Sequence, residues 1–407
     1  MTMPPKLRPI DIRPVRRRGQ LALLLRDPLA LSNQTLVLPP RMGPLLGLLD
    51  GTRDEGAIRA ALEVRTGVRL PPAALTNLLS QLDRMLLLDN ERSAKALKEA
   101  LRAYRDAPYR LPVLAGQGYP AAPDQLERLL QGYMNSAPPS PPDLDPPRPI
   151  RGLVCPHIDF NRGGTVYAQV WRDAARAVQE AELALILGTD HLAEDASITL
   201  TRQSYATPWG TLPTAQLVVE MVARTIGERA AFEHELHHRT EHSVELAAVW
   251  LHFMRKGKDI SLVPILCGSF APLLAKDTLL EDLPHLSAAV DGLRRATTRY
   301  RTLVIAAGDL AHVGPAFGDS LPLDILGRAR LRSSDEELME AIRTGDAQAF
   351  LLQAKRQGSQ RRICGLPPIY LTLQLLGGAQ GTVAGYAHCP ADDRGTSLVS
   401  ICGIVLH

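Results

Sequence analysis

Aromatic residues make up only 4% of the 407 positions, so the cores must be built from Leu, Val and Ala rather than from stacked rings. Cysteine is sparser still. The five cysteines are an odd number with no close pairs, which excludes a disulfide framework and points to a reducing compartment, the cytoplasm. No apolar run reaches the roughly 18 residues of a membrane span. The opening stretch MTMPPKLRPIDIRPVRRRG lacks the apolar centre of a signal peptide, so neither a membrane location nor export is expected. Charge of one sign is missing too. A formal net charge of +3 creates no field that implies nucleic acid. Arg13 and the run Arg16, Arg17, Arg18 read as a solvated arm. FNRGGT and LLGGAQG lack the spacing and the lysine of a phosphate-binding loop, so ATP use is not indicated.

What remains is an ordinary folded composition, 45% hydrophobic and 22% charged. The length exceeds one comfortable core, which predicts a large domain plus a smaller one. Residues 1–105 read as short strands around Leu21 to Leu25 and Thr35 to Leu38, followed by helices with apolar positions every three or four residues. In Met42 to Leu62, Asp50-Gly51-Thr52 is a turn and Thr52 is placed to cap the next helix. A further helix, Leu75 to Leu87, carries Leu78, Leu79, Leu82 and Leu86. This leucine-rich helix, LDGT turn, second helix and third helix ending in LLLD resembles the PqqD-like winged-helix domain. The resemblance implies a module that clasps a peptide or docks to a radical-enzyme partner; a helical scaffold without a ligand is the other reading. Residues 106–149 are expected to connect the two domains, ending in the proline-rich SAPPSPPDLDPPRP.

From Ile150 the chain alternates short apolar runs with helical patterns: GLVC, Thr165 to Glu180, LALIL, Ala215 to Ile226, ISLVPIL and LVIAA. Such alternation predicts an α/β fold, a mainly parallel sheet flanked by helices. GTVAGYAHC and SLVSICGIVL are expected to pair and close it. Functional groups gather at the carboxyl ends of parallel strands. There GLVC leads to Pro156-His157-Ile158-Asp159, LALIL to Gly188-Thr189-Asp190-His191, and LVIAA to Gly308-Asp309-Leu310-Ala311-His312. Three strand ends each deliver a histidine, and imidazole is a ligand for iron, copper or zinc.

The motifs PHIDFNRGG, LILGTDH, ATPWGTL, EHSVEL, VPILCG, GDLAHVG and ICGLPPIYL occur in this order, and in this the chain resembles the Memo family. The likeness begins near AGQGYP at Ala115 and spans Ile150 to His407. It implies a fold similar to the non-haem iron dioxygenases that open catechol rings, the extradiol class. Carried over motif by motif, it implies metal ligands His157, His191 and Cys364. Asp309, with His312, would stand beside the metal as a further ligand or proton carrier, and Glu241 and His242 would line the pocket. The implied cofactor is iron, with copper as the alternative. In bacteria such proteins are commonly protein B of an AmmeMemoRadiSam system, which implies a radical SAM enzyme and an AMMECR-type protein as partners.

Two positions depart from the family pattern: Leu192 replaces the second histidine of GxxHH, and Asp159 follows PH-Ile where a small residue is usual. A ring-opening dioxygenase uses two histidines and a carboxylate, and Cys364 stands where the carboxylate would be. Dioxygenase activity is therefore not inherited from the fold. The other reading of Cys364 is an inert buried thiol, as expected of Cys155, Cys267, Cys389 and Cys402. A non-catalytic peptide-binding protein with a vestigial pocket is the rival function. Finally, His234-Glu235-Leu236-His237-His238 spells the HExxH of zinc hydrolases. Its context, running into Arg239-Thr240 and an expected helix cap, favours a solvated connecting turn.

Overall fold

A computed structural model describes residues 3–17, 19–139, 149–275 and 280–407. The chain divides into two units, Met1–Asp106 and Ala107–His407. The first holds a three-stranded antiparallel sheet of β1 (Asp11–Arg17), β2 (Gln20–Arg26) and β3 (Thr35–Leu38) in sequential order. The stretch expected as a solvated arm is thus strand β1, paired along its length with β2. Its charged and prolyl residues suit an edge strand, where one row of backbone groups faces water. Arg18 lies outside the described residues.

Helices Glu55–Thr66 and Pro72–Arg84 follow. Leu62, Leu75 and Leu82 are fully buried with Leu25, Leu45 and Leu48, so the leucine periodicity marks this unit's core. Asp54, not Thr52, caps the first of these helices by accepting the Ala57 N–H at 2.8 Å, while Thr52 bonds back to Asp50. Buried Asp27 pairs with Arg8 at 3.2 Å and accepts from the Leu29 and Leu31 amides, fixing the turn after β2.

The second unit is built on β4 (Gly152–Cys155), β5 (Leu183–Thr189), β6 (Ile198–Leu200), β9 (Ser261–Cys267), β10 (Thr302–Ala307), β11 (His312–Val313), β12 (Gly381–Pro390) and β13 (Leu398–Leu406). A separate hairpin pairs β7 (Tyr205–Thr207) with β8 (Gly210–Leu212). The main sheet runs β11-β13-β4-β10-β5-β9-β6, with β12 on β13. The four middle strands, β4, β10, β5 and β9, are mutually parallel, and the outer ones are antiparallel. The predicted parallel sheet is therefore the centre of a mixed one. The middle strands are buried on both faces, as their unbroken apolar runs require. One face is covered by helices including Phe160–Asp173 and Ser243–Met254, the other by helices including Pro284–Thr297 and Leu366–Leu376.

Part of the segment expected as a connection folds with this second unit. Helix Pro123–Ser136 buries Leu126 and Leu130 in the core beneath Phe160–Asp173. A Cβ at Gly164 would meet the Tyr133 ring at 2.6 Å, so only glycine permits this approach. The proline-rich stretch falls mostly on 140–148, outside the described residues. Among the described residues no helix is long and apolar enough to cross a membrane.

Candidate metal centre

The sheet register explains why distant motifs meet. Ala307 of β10 lies level with Cys155 of β4 on one side and Gly188 of β5 on the other. Pro156, which has no N–H, ends the β4 ladder, and His157 is the next residue. Asp309 follows Ala307 by two residues and His191 follows Gly188 by three, so all three emerge at one edge. Cys364 arrives on the loop before helix Leu366–Leu376. A Cβ on Gly308 would come within 2.4 Å of the Gly365 Cα, and one on Gly365 within 2.6 Å of the Asp309 carbonyl oxygen. The two glycines thus let the cysteine loop lie directly on the aspartate loop.

The result is a compact donor cluster. The ring centroids of His157 and His191 are 5.0 Å apart, and the Cys364 Sγ is 3.1 Å from the His157 Nε2. His157 Nδ1 lies 3.1 Å from the Ala307 carbonyl oxygen. That oxygen can only accept, so Nδ1 carries the hydrogen and Nε2 is free to ligate. Asp309 accepts the His157 and Ile158 amides at 2.9 and 3.3 Å through Oδ1, and its Oδ2 is 3.9 Å from the His157 Nε2. Two donor sets, each with its ligand atoms within 4.8 Å of one another, share His157: His157, His191 and His242, and His157, Asp309 and Cys364. The ligands implied by resemblance straddle both.

Glu241 organises this edge. Its Oε2 accepts from the His191 amide at 3.2 Å and lies 2.9 Å from the His191 Nδ1. Its Oε1 accepts from the His242 and Ser243 amides at 2.7 and 2.9 Å and is 3.1 Å from the His242 Nδ1. The helix cap expected after Arg239-Thr240 falls at His242, the N-cap of helix Ser243–Met254, and the Glu241 carboxylate takes up the amides of His242 and Ser243 there. Burial opposes charge on Glu241, but the His191 and His242 imidazoles outweigh it and hold the carboxyl well below its usual range. Burial likewise opposes charge on His191, yet Glu241 and Cys364 hold its imidazole well above the usual value. Burial pushes the Cys364 thiol up, while His157 and His312 bring it down on balance. Against its own burial, His157 is raised in turn by Cys364 and Asp309. His312 stands further out: its Nδ1 is 3.1 Å from the Arg362 carbonyl oxygen, and it belongs to neither donor set.

A cleft of about 320 Å³ opens beside the cluster, lined by His191, Cys364, Arg362, Phe270, Leu274 and Leu366 among others. His191 and Cys364 thus belong both to the donor cluster and to the wall of the cleft. A donor set of imidazoles, one carboxylate and one thiolate next to an open cavity fits a transition metal.

The HExxH reading is overturned. Glu235–Arg239 is a 3-10 turn rather than an α-helix, so the histidines do not share a helical face. Buried His238 is occupied on both nitrogens, by the Tyr205 hydroxyl at 2.6 Å and the Thr199 carbonyl at 3.1 Å. Glu235 accepts from the Thr201 hydroxyl. Nor is the stretch a solvated turn, since Glu235 and His238 are buried and His237 pairs with buried Asp190 at 2.8 Å. Asp159, which departs from the family pattern, caps helix Phe160–Asp173. Leu192 donates its amide to Asp190 and so belongs to the turn after β5.

Sequence reasoning passed over Arg110. It is 1% exposed, pairs with Glu245, and donates to the carbonyl oxygens of His238 at 2.9 Å and Glu241 at 2.5 Å. Glu245 also accepts the Val113 and Leu114 amides and the Tyr119 hydroxyl. This network ties 110–119 to the base of the site.

A family model described as Memo-like protein matches residues 110–404. The match begins at the buried Arg110. The chain is similar to a MEMO1 family protein of Aquifex aeolicus, 26% identical over 81% of this chain and 80% of that protein. It is similar to one of Methanosarcina acetivorans, 27% identical over 69% of this chain and 91% of that protein. A third, from Thermus thermophilus, is 26% identical over 79% and 90%. With the family model covering most of its length, the chain belongs to the Memo-like protein family.

Proposed function

We propose that this protein holds one redox-active transition metal, iron or copper, through His157, His191 and Cys364 with Asp309 beside them, and acts on a small substrate that enters the adjacent cleft. The observation that carries the reading is the 3.1 Å approach of the Cys364 Sγ to the His157 Nε2, with Cys364 on the wall of a cleft of about 320 Å³. A metal held there would supply one-electron exchange and a position for a substrate donor atom. The chain's own residues do the rest. The Ala307 carbonyl fixes the His157 tautomer, Glu241 orients His191, and Asp309 pins the turn that carries His157. The open cleft favours this reading over a vestigial pocket, which side chains would fill.

The system-level part of the proposal is that the protein works as the B component of an AmmeMemoRadiSam system. There the PqqD-like N-terminal unit would capture a peptide, a radical SAM enzyme or an AMMECR-type protein. Metal analysis after anaerobic iron titration tests the site, with His157→Ala, His191→Ala and Cys364→Ser beside the unaltered chain. Loss of metal in all three supports one shared centre; retention in all three ends the redox reading. Titration of the full chain with the candidate partners tests the second part, which fails if nothing associates at micromolar concentrations.

A further inference from the structure

An imidazole offers one ring nitrogen to a metal when the other is committed to an acceptor that fixes its hydrogen. His157 meets this condition through the Ala307 carbonyl and His191 through Glu241. His242 meets it too, with its Nδ1 3.1 Å from the Glu241 Oε1. One carboxylate therefore serves two imidazoles, an oxygen to each. The three amides it also accepts, from His191, His242 and Ser243, keep it from rotating. All three histidines are left with Nε2 as the ligating atom.

The three imidazoles converge. The ring centroids lie 5.0, 5.4 and 5.1 Å apart for the pairs His157–His191, His157–His242 and His191–His242, and the ligand atoms of all three sit within 4.8 Å of one another. A histidine kept only to neutralise Glu241 would have no reason to bring its far nitrogen to this point. We infer that His242 is a further ligand of the metal, so that the ion is held by three histidines with the Cys364 sulfur alongside. The inference rests on the reading of this edge as a metal centre. Since both donor sets share His157, whose Nδ1 is committed to the Ala307 carbonyl and which has one nitrogen left to offer, they describe one ion rather than two. A set rich in imidazole suits a divalent ion of intermediate softness, such as Fe(II), Co(II) or Zn(II). Glu241 is then the positioning residue that orients two ligands at once.

The test uses Co(II), whose visible bands report coordination, on the full chain under anaerobic conditions, with affinity read by chelator competition. The variant His242→Gln is expected to weaken Co(II) binding tenfold or more and to shift the ligand-field bands while the thiolate charge-transfer band persists. The variant Glu241→Gln should weaken binding by about 10- to 100-fold, the usual effect of removing a carboxylate behind ligating histidines. The rescue variant His242→Cys should bind again with added thiolate charge-transfer intensity, which a merely structural residue 242 would not produce. Unaltered affinity and ligand-field bands in His242→Gln overturn the inference while leaving the metal centre intact. Failure of the unaltered chain to bind Co(II), with His157→Ala no different, overturns both.

Discussion

The Cys364 Sγ and the His157 Nε2 lie 3.1 Å apart across 207 residues of sequence, and Cys364 is the one cysteine of five that is only part-buried. Cys364 lines the cleft, and the imidazole beside it favours the thiolate. Iodoacetamide should therefore label the metal-stripped native chain once, at Cys364. His157→Ala should slow that labelling several-fold, and added Fe(II) or Co(II) should protect the thiol. Mass spectrometry of the labelled peptides reads all three, and labelling spread over Cys155 or Cys402 would contradict the arrangement.

Arg110 and Glu245 form a fully buried ion pair whose remaining hydrogen-bonding groups are satisfied by backbone and by Tyr119. Removing one partner strands the other's charge, which costs about 3–5 kcal/mol. Arg110→Met and Glu245→Gln should each lower stability to chemical denaturation by that order, and the double variant should cost less than the sum. Tyr119→Phe removes only one hydrogen bond, worth about 1 kcal/mol.

What could be read from the sequence was what is local. GLVC, LALIL, ISLVPIL and LVIAA became the parallel centre of the sheet, because a run buried on both faces carries its own signature. The residues that follow them meet in the donor cluster, because strand ends gather in any such sheet. The hidden features depend on partners far along the chain. Glu241 holds His191 from 50 residues away, and Arg110 reaches Glu245 across 135. No periodicity records such pairs. His238 looked solvated because histidine clusters usually are, whereas Tyr205 and Thr199 satisfy it inside the protein. Strand β1 looked like an arm because its charges mask the pairing of an exposed edge. Helix Pro123–Ser136 did leave a trace, apolar residues at 126, 129, 130, 133 and 134, outweighed by the prolines after it.

His238 gives a pH dependence of definite sign. Burial lowers its pKa from 6.5 to about 3, against the help of the Thr199 carbonyl. Folded, it stays neutral; unfolded, it takes a proton below pH 6.5. Its contribution to stability is complete above that pH and declines as pH falls toward 3, by about 1.4 kcal/mol per pH unit. Denaturation midpoints of the unaltered chain and His238→Gln, followed from pH 7 to pH 5, should show the variant less stable at pH 7 but losing stability less steeply. Parallel slopes would show that His238 is not the titrating group.

The close contact of Gly308 and Gly365 links backbone packing to the donor cluster. A methyl group on Gly365 would have to displace the Asp309 carbonyl, 2.6 Å from its position, or move the cysteine loop away. Moving the loop is the easier path, since helix Leu366–Leu376 begins just after it while Asp309 is tied to the His157 and Ile158 amides. Overpacking of this kind costs about 1–3 kcal/mol. The displacement would also carry the Cys364 sulfur off His157. Gly365→Ala should therefore fold with modestly lower stability and lose the thiolate-to-Co(II) charge-transfer band, while histidine-based binding of the ion survives. If the band is unchanged, the glycine pair does not set the sulfur's position.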